Sequence, residues 1–200
     1  MGLSRSAVFL DRDGTLNVAR GYVTRPEQLV LMPAVGRALR SLQEARYLLI
    51  VVTNQSAVAR GLASMASIDE IHIRLQRLLS SDGVAIDQIY VCPHHPAPSA
   101  VRADAAFAMD CDCRKPKTGL IDQACRDFEI DRSTSWMVGD HTRDIETARR
   151  AGIQSILVRT GHGGSDREFD TKPEFLADDL AAAAEYIISR GGDVSVNPRR

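Results

Sequence analysis

The chain has 200 residues, of which 44% are hydrophobic and 26% charged, with a net charge of −1 at pH 7. That length and balance suit a soluble globular domain able to bury a core of its own. They exclude a nucleic-acid surface built on excess basic charge, and no apolar stretch approaches a membrane span, so neither partner is expected. The first apolar run, residues 7–10, is too short for a signal peptide and leads directly into Asp11, which sets the expected location as cytoplasmic. Three of the four cysteines, Cys92, Cys111 and Cys113, fall near His94 and His95, while Cys125 stands apart. In a reducing compartment this clustering favours a metal site over disulfides.

Val8-Phe9-Leu10 reads as a buried strand that Gly14 ends. Strand alternation points Asp11 and Asp13 the same way at its C-terminal end, and two acids so placed repel unless a cation or a shared proton offsets them. A polar loop through Gly21-Tyr22 and Pro26 follows. Pro33 then opens a helix with Val35, Leu39 and Leu42 on one face. Residues 47–52 form a continuous apolar run, the mark of a strand covered on both faces, and it stops abruptly at Thr53-Asn54-Gln55-Ser56. Helical spacing returns from Ile68 to Leu79. A third strand is expected over 86–91, immediately before Cys92.

Residues 93–118 carry no helix or strand pattern, and a connection that long is usually functional or disordered. Thr118 or Gly119 starts the next helix, with Leu120, Ile121, Ala124, Cys125 and Phe128 on its inner face. Trp136-Met137-Val138 is a fourth strand, ending in Gly139-Asp140. A helix over 144–151 stops at Gly152, with Asp144 a candidate for its N-cap. A fifth strand spans 155–158, and Asp178 or Asp179 caps a helix over 180–189. The expected organisation is one domain over 1–190, with a metal loop at 92–113 and a disordered tail at 191–200.

Strands alternating with helices imply βαβ units and a parallel sheet. All strand C-termini then share one edge, where Asp11, Asp13, Thr53, Asn54 and Asp140 collect. The three acids offer hard oxygen ligands suited to Mg²⁺, Thr53 offers a hydroxyl, and Lys115 adds a fixed positive charge. Phosphoryl transfer needs this combination of nucleophile, cations on the equatorial oxygens and an acid for the leaving group.

Val8–Thr15, Val51–Gln55, Lys115-Pro116 and Gly139–Asp144 together resemble, in order, the four motifs of the haloacid dehalogenase-like phosphatases. The resemblance runs from residue 7 to about 160. It implies a Rossmann-like parallel sheet with helices on both faces and no separate cap domain. It also implies that Asp11 is the nucleophile and Asp13 the general acid and later base. Thr53 and Lys115 would steady the phosphoryl group with Asp144 in support, and Asp11, the Asp13 backbone carbonyl and Asp140 would hold Mg²⁺.

Cys92, Cys111 and Cys113 with either His94 or His95 would make a closed Cys₃His zinc site, structural rather than catalytic. Such a site would clamp the loop that carries Arg114 and Lys115. This loop, with Gly21-Tyr22 and Asn54-Gln55-Ser56, is similar to the heptose-bisphosphate and histidinol-phosphate phosphatase branch, and that similarity selects His94 as the fourth ligand. What it implies is a monomeric phosphomonoesterase acting on a small sugar phosphate, with release of the 7-phosphate of heptose 1,7-bisphosphate as the expected reaction. Gly21, Tyr22, Asn54, Gln55, Ser56, Arg114 and His141 are the expected substrate contacts. Arg114 would take a second, non-reacting phosphate, and His141 stands where close relatives often carry lysine. Histidinol-phosphate phosphatase, and a zinc-stabilised binding protein without catalysis, are the competing readings.

Overall fold

The structure, a computed structural model, describes residues 4–97 and 103–191. Strands β1 (Ala7–Leu10), β2 (Leu48–Asn54), β3 (Gln88–Cys92), β4 (Trp136–Gly139), β5 (Gln154–Val158) and β6 (Phe175–Ala177) form one sheet. Every neighbouring pair is parallel, and the order is β3-β2-β1-β4-β5-β6. The chain thus steps outward on one side of β1 and then returns to build the other side from β4. In such sheets the crevice lies beyond the strand C-termini where the order reverses, here at β1 and β4.

Strand alternation divides the core. Val8 and Leu10 face a cluster with α1 (Val35–Glu44), α2 (Met65–Ser80) and α5 (Leu180–Gly191). Ala7 and Phe9 face the opposite cluster with α3 (Gly119–Phe128) and α4 (Thr142–Ala151). Both faces of the central strands are therefore covered, which is why their sequences are apolar at every position. Helix ends follow from local chemistry. Ser64 Oγ accepts the Ser67 N–H at 3.1 Å before α2, and Asp179 Oδ1 accepts the Ala182 N–H at 2.9 Å at the start of α5. Gly152, with φ +70, ends α4. No helix among the described residues is long and apolar enough to cross a membrane.

The structure corrects the sequence reading at several boundaries. Pro33 precedes α1 by a turn rather than opening it, and Ala34 takes the N-cap position. The third strand starts at Gln88, because Asp87 bonds to Leu49 through both its N–H and its carboxylate at the sheet's margin. β6 is an edge strand of three residues, too short to show periodicity. Asp144 is not the N-cap of α4: His141 is, and Asp144 Oδ2 reaches back to accept its N–H at 3.1 Å. Of the expected tail, Gly191 is the last residue of α5, and 192–200 lie outside the described residues.

Ile50 is fully buried in the middle of β2. Ile50→Ala should cost about 2–5 kcal/mol, read as a lower urea midpoint at unchanged m-value.

Candidate active site

The edge at the C-termini of β1, β2 and β4 gathers the expected acids and their partners. Lys115 is 3% exposed, although it lies in the long loop before α3. Its Nζ donates to Asp11 Oδ1 at 2.6 Å and sits 2.7 Å from Asp144 Oδ1. Burial alone would lower the lysine pKa, but the two carboxylates outweigh it and hold the ammonium charged. Asp11 is under-compensated: burial pushes its pKa up, Lys115 pulls it down, and Asp144 adds to the rise. Asn54 fixes the lysine's backbone from β2. Its Oδ1 accepts the Lys115 N–H at 3.0 Å and its Nδ2 donates to the Lys115 carbonyl at 3.1 Å.

Asp140 is fully buried. Its Oδ1 accepts from His141 Nδ1 at 2.7 Å and its Oδ2 accepts the His162 N–H at 2.7 Å. The two imidazoles lie 4.0 Å apart, centroid to centroid. Burial opposes protonation of His141, and its bond to Asp140 raises the pKa overall. Two glycines close around Asp140: a Cβ at Gly14 would come within 2.2 Å of Oδ2, and one at Gly161 within 2.1 Å. Carboxylate oxygens of Asp11, Asp140 and Asp144 lie within 4.8 Å of one another. Three hard oxygen donors with one ammonium among them fit a Mg²⁺-like cation, whose charge would complete the compensation. The Asp13 carboxylate lies outside this triad.

Asp13 belongs to a separate network. Arg12 Nη2 donates to its Oδ1 at 3.0 Å and its Oδ2 at 2.8 Å, Asn17 Nδ2 donates to Oδ1 at 3.0 Å, and Gln55 Nε2 donates to Oδ2 at 2.9 Å. Burial would raise the Asp13 pKa, but Arg12, Asn17 and Gln55 bring it below the ordinary value. Gln55, expected along the substrate, is instead turned to Asp13 and to Thr53 Oγ1, 2.8 Å away.

Asp11, Asp13, Thr53, Asn54, Lys115, His141, Asp144 and Arg143 line a cleft of about 80 Å³. Gly21, Tyr22, Ser56 and Arg114 do not line it. Tyr22 is 48% exposed under the Arg60 guanidinium, and Arg114 Nη1 donates to the His94 carbonyl at 3.1 Å. Arg143 was missed in the sequence. Its Nη2 lies 3.1 Å from Glu168, and its Nε is buried without a partner. The signal it carried was an arginine in the first turn of a helix, where the macrodipole disfavours a cation.

Cys92, His94, Cys111 and Cys113 converge beside the cleft. Cys92–Cys111, Cys92–His94, His94–Cys113 and Cys111–Cys113 donor distances are 3.6, 3.8, 3.3 and 3.3 Å. A tetrahedral thiolate site with ~2.3 Å bonds has edges of about 3.8 Å, so these donors can close on one ion with small shifts. Hydrogen bonds from the neighbouring thiols hold the Cys113 pKa down at about 5. His95 points elsewhere, with Nε2 3.2 Å from Arg60 and Nδ1 accepting the Ala97 N–H. None of the four cysteines forms a disulfide.

A parallel sheet with an acid triad, a buried lysine and a threonine at its crevice defines a phosphoryl-transfer hydrolase. The HAD-hydrolase-like family model matches residues 112–183. The chain is 40% identical over 187 residues to the D-glycero-beta-D-manno-heptose-1,7-bisphosphate 7-phosphatase of Haemophilus ducreyi, covering 92% of this chain and all of that one. It is 43% identical to the D-glycero-D-manno-heptose-1,7-bisphosphate 7-phosphatase of Thermosynechococcus vestitus, covering 92% and 96%. The structure matches that of the D,D-heptose 1,7-bisphosphate phosphatase from B. bronchiseptica, solved with magnesium and phosphate, at a TM-score of 0.80 and 32% identity, covering 92% of this chain and 99% of that one. The chain therefore belongs to the haloacid dehalogenase-like phosphatases, within the branch of the heptose-bisphosphate phosphatases.

His72, buried on α2, has its pKa lowered to about 3 by burial and by the Arg12 charge. Its unfolded form takes up a proton near pH 6.5, so between about 6.5 and 3 the unfolded chain binds more protons and stability rises with pH. His72→Gln should flatten the acid side of the stability profile, removing at most about 1.4 kcal/mol per pH unit. Urea titrations of both proteins across that range check this.

Proposed function

We propose that this chain hydrolyses the 7-phosphate of D-glycero-D-manno-heptose 1,7-bisphosphate, giving heptose 1-phosphate and inorganic phosphate. The observation that carries the phosphoryl-transfer chemistry is Lys115, buried between Asp11 and Asp144 beside Thr53. The heptose substrate rests on the relatives' named activity and on the cationic far wall of the cleft. Arg143 lines that wall, with Arg114 near enough for the two charges to repel. Glu168, 3.1 Å from Arg143, offsets part of that repulsion; a second phosphate would answer the rest, whereas the ammonium of histidinol phosphate would add to it.

Asp11, Asp140 and the Asp13 backbone carbonyl would hold Mg²⁺, which when bound supplies positive charge to the phosphoryl oxygens. Lys115 engages Asp11 Oδ1, so Oδ2 is the oxygen left to attack phosphorus. Asp13, ionised in the free enzyme, takes up a proton as the negative charge of the bound phosphate raises its pKa. It donates that proton to the sugar's C7 oxygen as the bond from phosphorus to that oxygen breaks. Lys115 and Thr53 offset the charge on the equatorial oxygens. Asp13, now a carboxylate, takes a proton from water, and the water oxygen displaces Asp11 from the aspartyl-phosphate. Zn²⁺ held by Cys92, His94, Cys111 and Cys113 would fix the loop that ends in Arg114 and Lys115, without entering the chemistry. The enzyme is proposed to act as a cytoplasmic monomer on a free sugar phosphate.

Parallel turnover assays on both heptose bisphosphate anomers and histidinol phosphate test the substrate. Preference for a heptose bisphosphate is expected, and efficient turnover of histidinol phosphate alone would overturn it. Asp11→Asn should abolish phosphate release from every substrate, and persistence of wild-type turnover would remove the catalytic assignment. Cys111→Ser should lose the roughly one equivalent of zinc per chain and melt at lower temperature. Metal analysis of chelator-free protein showing no zinc would end that part of the reading.

A further inference from the structure

Arg12 is the largest completely buried side chain among the described residues. It stands between the two acids of the first motif, Asp11 and Asp13. Its guanidinium is held only at its two terminal nitrogens. Nη2 donates to Asp13 and, at 3.0 Å, to Gln55 Oε1, while Nη1 lies 3.1 Å from His72 Nε2. The third nitrogen, Nε, is buried with no partner. Guanidinium nitrogens only donate, so Nε2 of His72 is the acceptor and its proton sits on Nδ1.

His72 lies on the inward stripe of α2 with Ile68, Ile71, Leu75 and Leu79, and it is the one polar member of that set. An apolar side chain would serve packing equally well there. What the imidazole adds is an acceptor at the far side of the Arg12 fork. All the other contacts of the fork are to the motif loop and to Gln55, which themselves contact Asp13. His72 is the one anchor on an element outside this group. Its lowered pKa keeps the ring neutral, and so an acceptor, throughout the neutral range.

We propose that His72 is a positioning residue for the proton transfers of Asp13, acting through Arg12. This rests on Asp13 being the acid that protonates the leaving oxygen. Without the imidazole, Nη1 is left unheld along with Nε, and the guanidinium is fixed at Nη2 alone. The fork can then pivot about that nitrogen, and the Asp13 carboxylate it holds is no longer locked in one orientation.

The test is a single-turnover series of phosphate monoesters, from p-nitrophenyl phosphate through alkyl phosphates to heptose bisphosphate. It isolates transfer to the enzyme from the later hydrolysis. p-Nitrophenolate leaves without a proton, whereas an alkoxide needs one. For His72→Leu the rate should fall only a few-fold with p-nitrophenyl phosphate but about 100-fold with alkyl esters, the order that general-acid catalysis contributes. His72→Gln, whose Oε1 reaches the place of Nε2, should restore most of the alkyl rate. His72→Asn, about one bond too short, should not, and it serves in place of the leucine variant if that chain does not fold. A fall of equal size across all leaving groups, or no rescue by glutamine over asparagine, would overturn the inference. Asp13→Asn is the control. If it shows no added dependence on the leaving group, the role given to Asp13 itself has failed. If it does and the His72 variants do not, only the positioning role has.

Discussion

One buried ammonium organises this site. Lys115 lies between Asp11 and Asp144 with almost no contact with water, and its backbone is gripped on both sides by Asn54. Four distant segments meet there: the end of β1, the end of β2, the first turn of α4 and the long loop before α3. Opposite charges in a poorly polarisable interior attract strongly, but only as a complete set. One lysine for two carboxylates leaves an excess of negative charge, and Asp140 adds to it. That excess is of the kind that a Mg²⁺-like cation would offset.

The protein keeps two donor sets separate by chemistry. Hard oxygens collect at the strand ends, where Asp140 sits in a slot walled by two glycines that leave no room for a Cβ. Soft sulfur and nitrogen collect a short distance away, at the end of β3 and in the following loop. Among the described residues of that loop, backbone bonds and a ring contact tie the chain down. The His95 N–H bonds to the Phe107 carbonyl, the Asp104 N–H bonds to the Ala59 carbonyl, and Phe107 leans on His94. The donor cluster is thus braced against the segment carrying Arg60.

Much of this was legible in the sequence, for identifiable reasons. Strands covered on both faces must be apolar throughout, so β1, β2 and β4 announce themselves, and polar residues at their ends mark the edge. Acids and cysteines in tight clusters are costly unless paired, so Asp11, Asp13, Cys111 and Cys113 stand out. The gaps have an equally physical origin. Gln55 reads from sequence as a substrate contact and Arg12 carries no signal of its own, because only the fold shows that both turn to Asp13. Asp144 is ambiguous in sequence between N-cap and site residue; it sits at the third position of α4, reaching back to the His141 N–H and across to Lys115. β6 is held by its neighbour rather than by any pattern of its own.

The sheet order has a consequence during synthesis. β1 is central, with Leu10 paired to Val51 on one side and Val138 on the other. The ribosome delivers β2 early, but β4 begins only at Trp136. At ~5–20 residues per second, the nascent chain waits roughly 4–16 seconds between the two. Throughout that interval one edge of the most apolar strand is without its partner, the condition under which growing chains stick to one another. The strand that presents Asp11 is the first made and among the last enclosed.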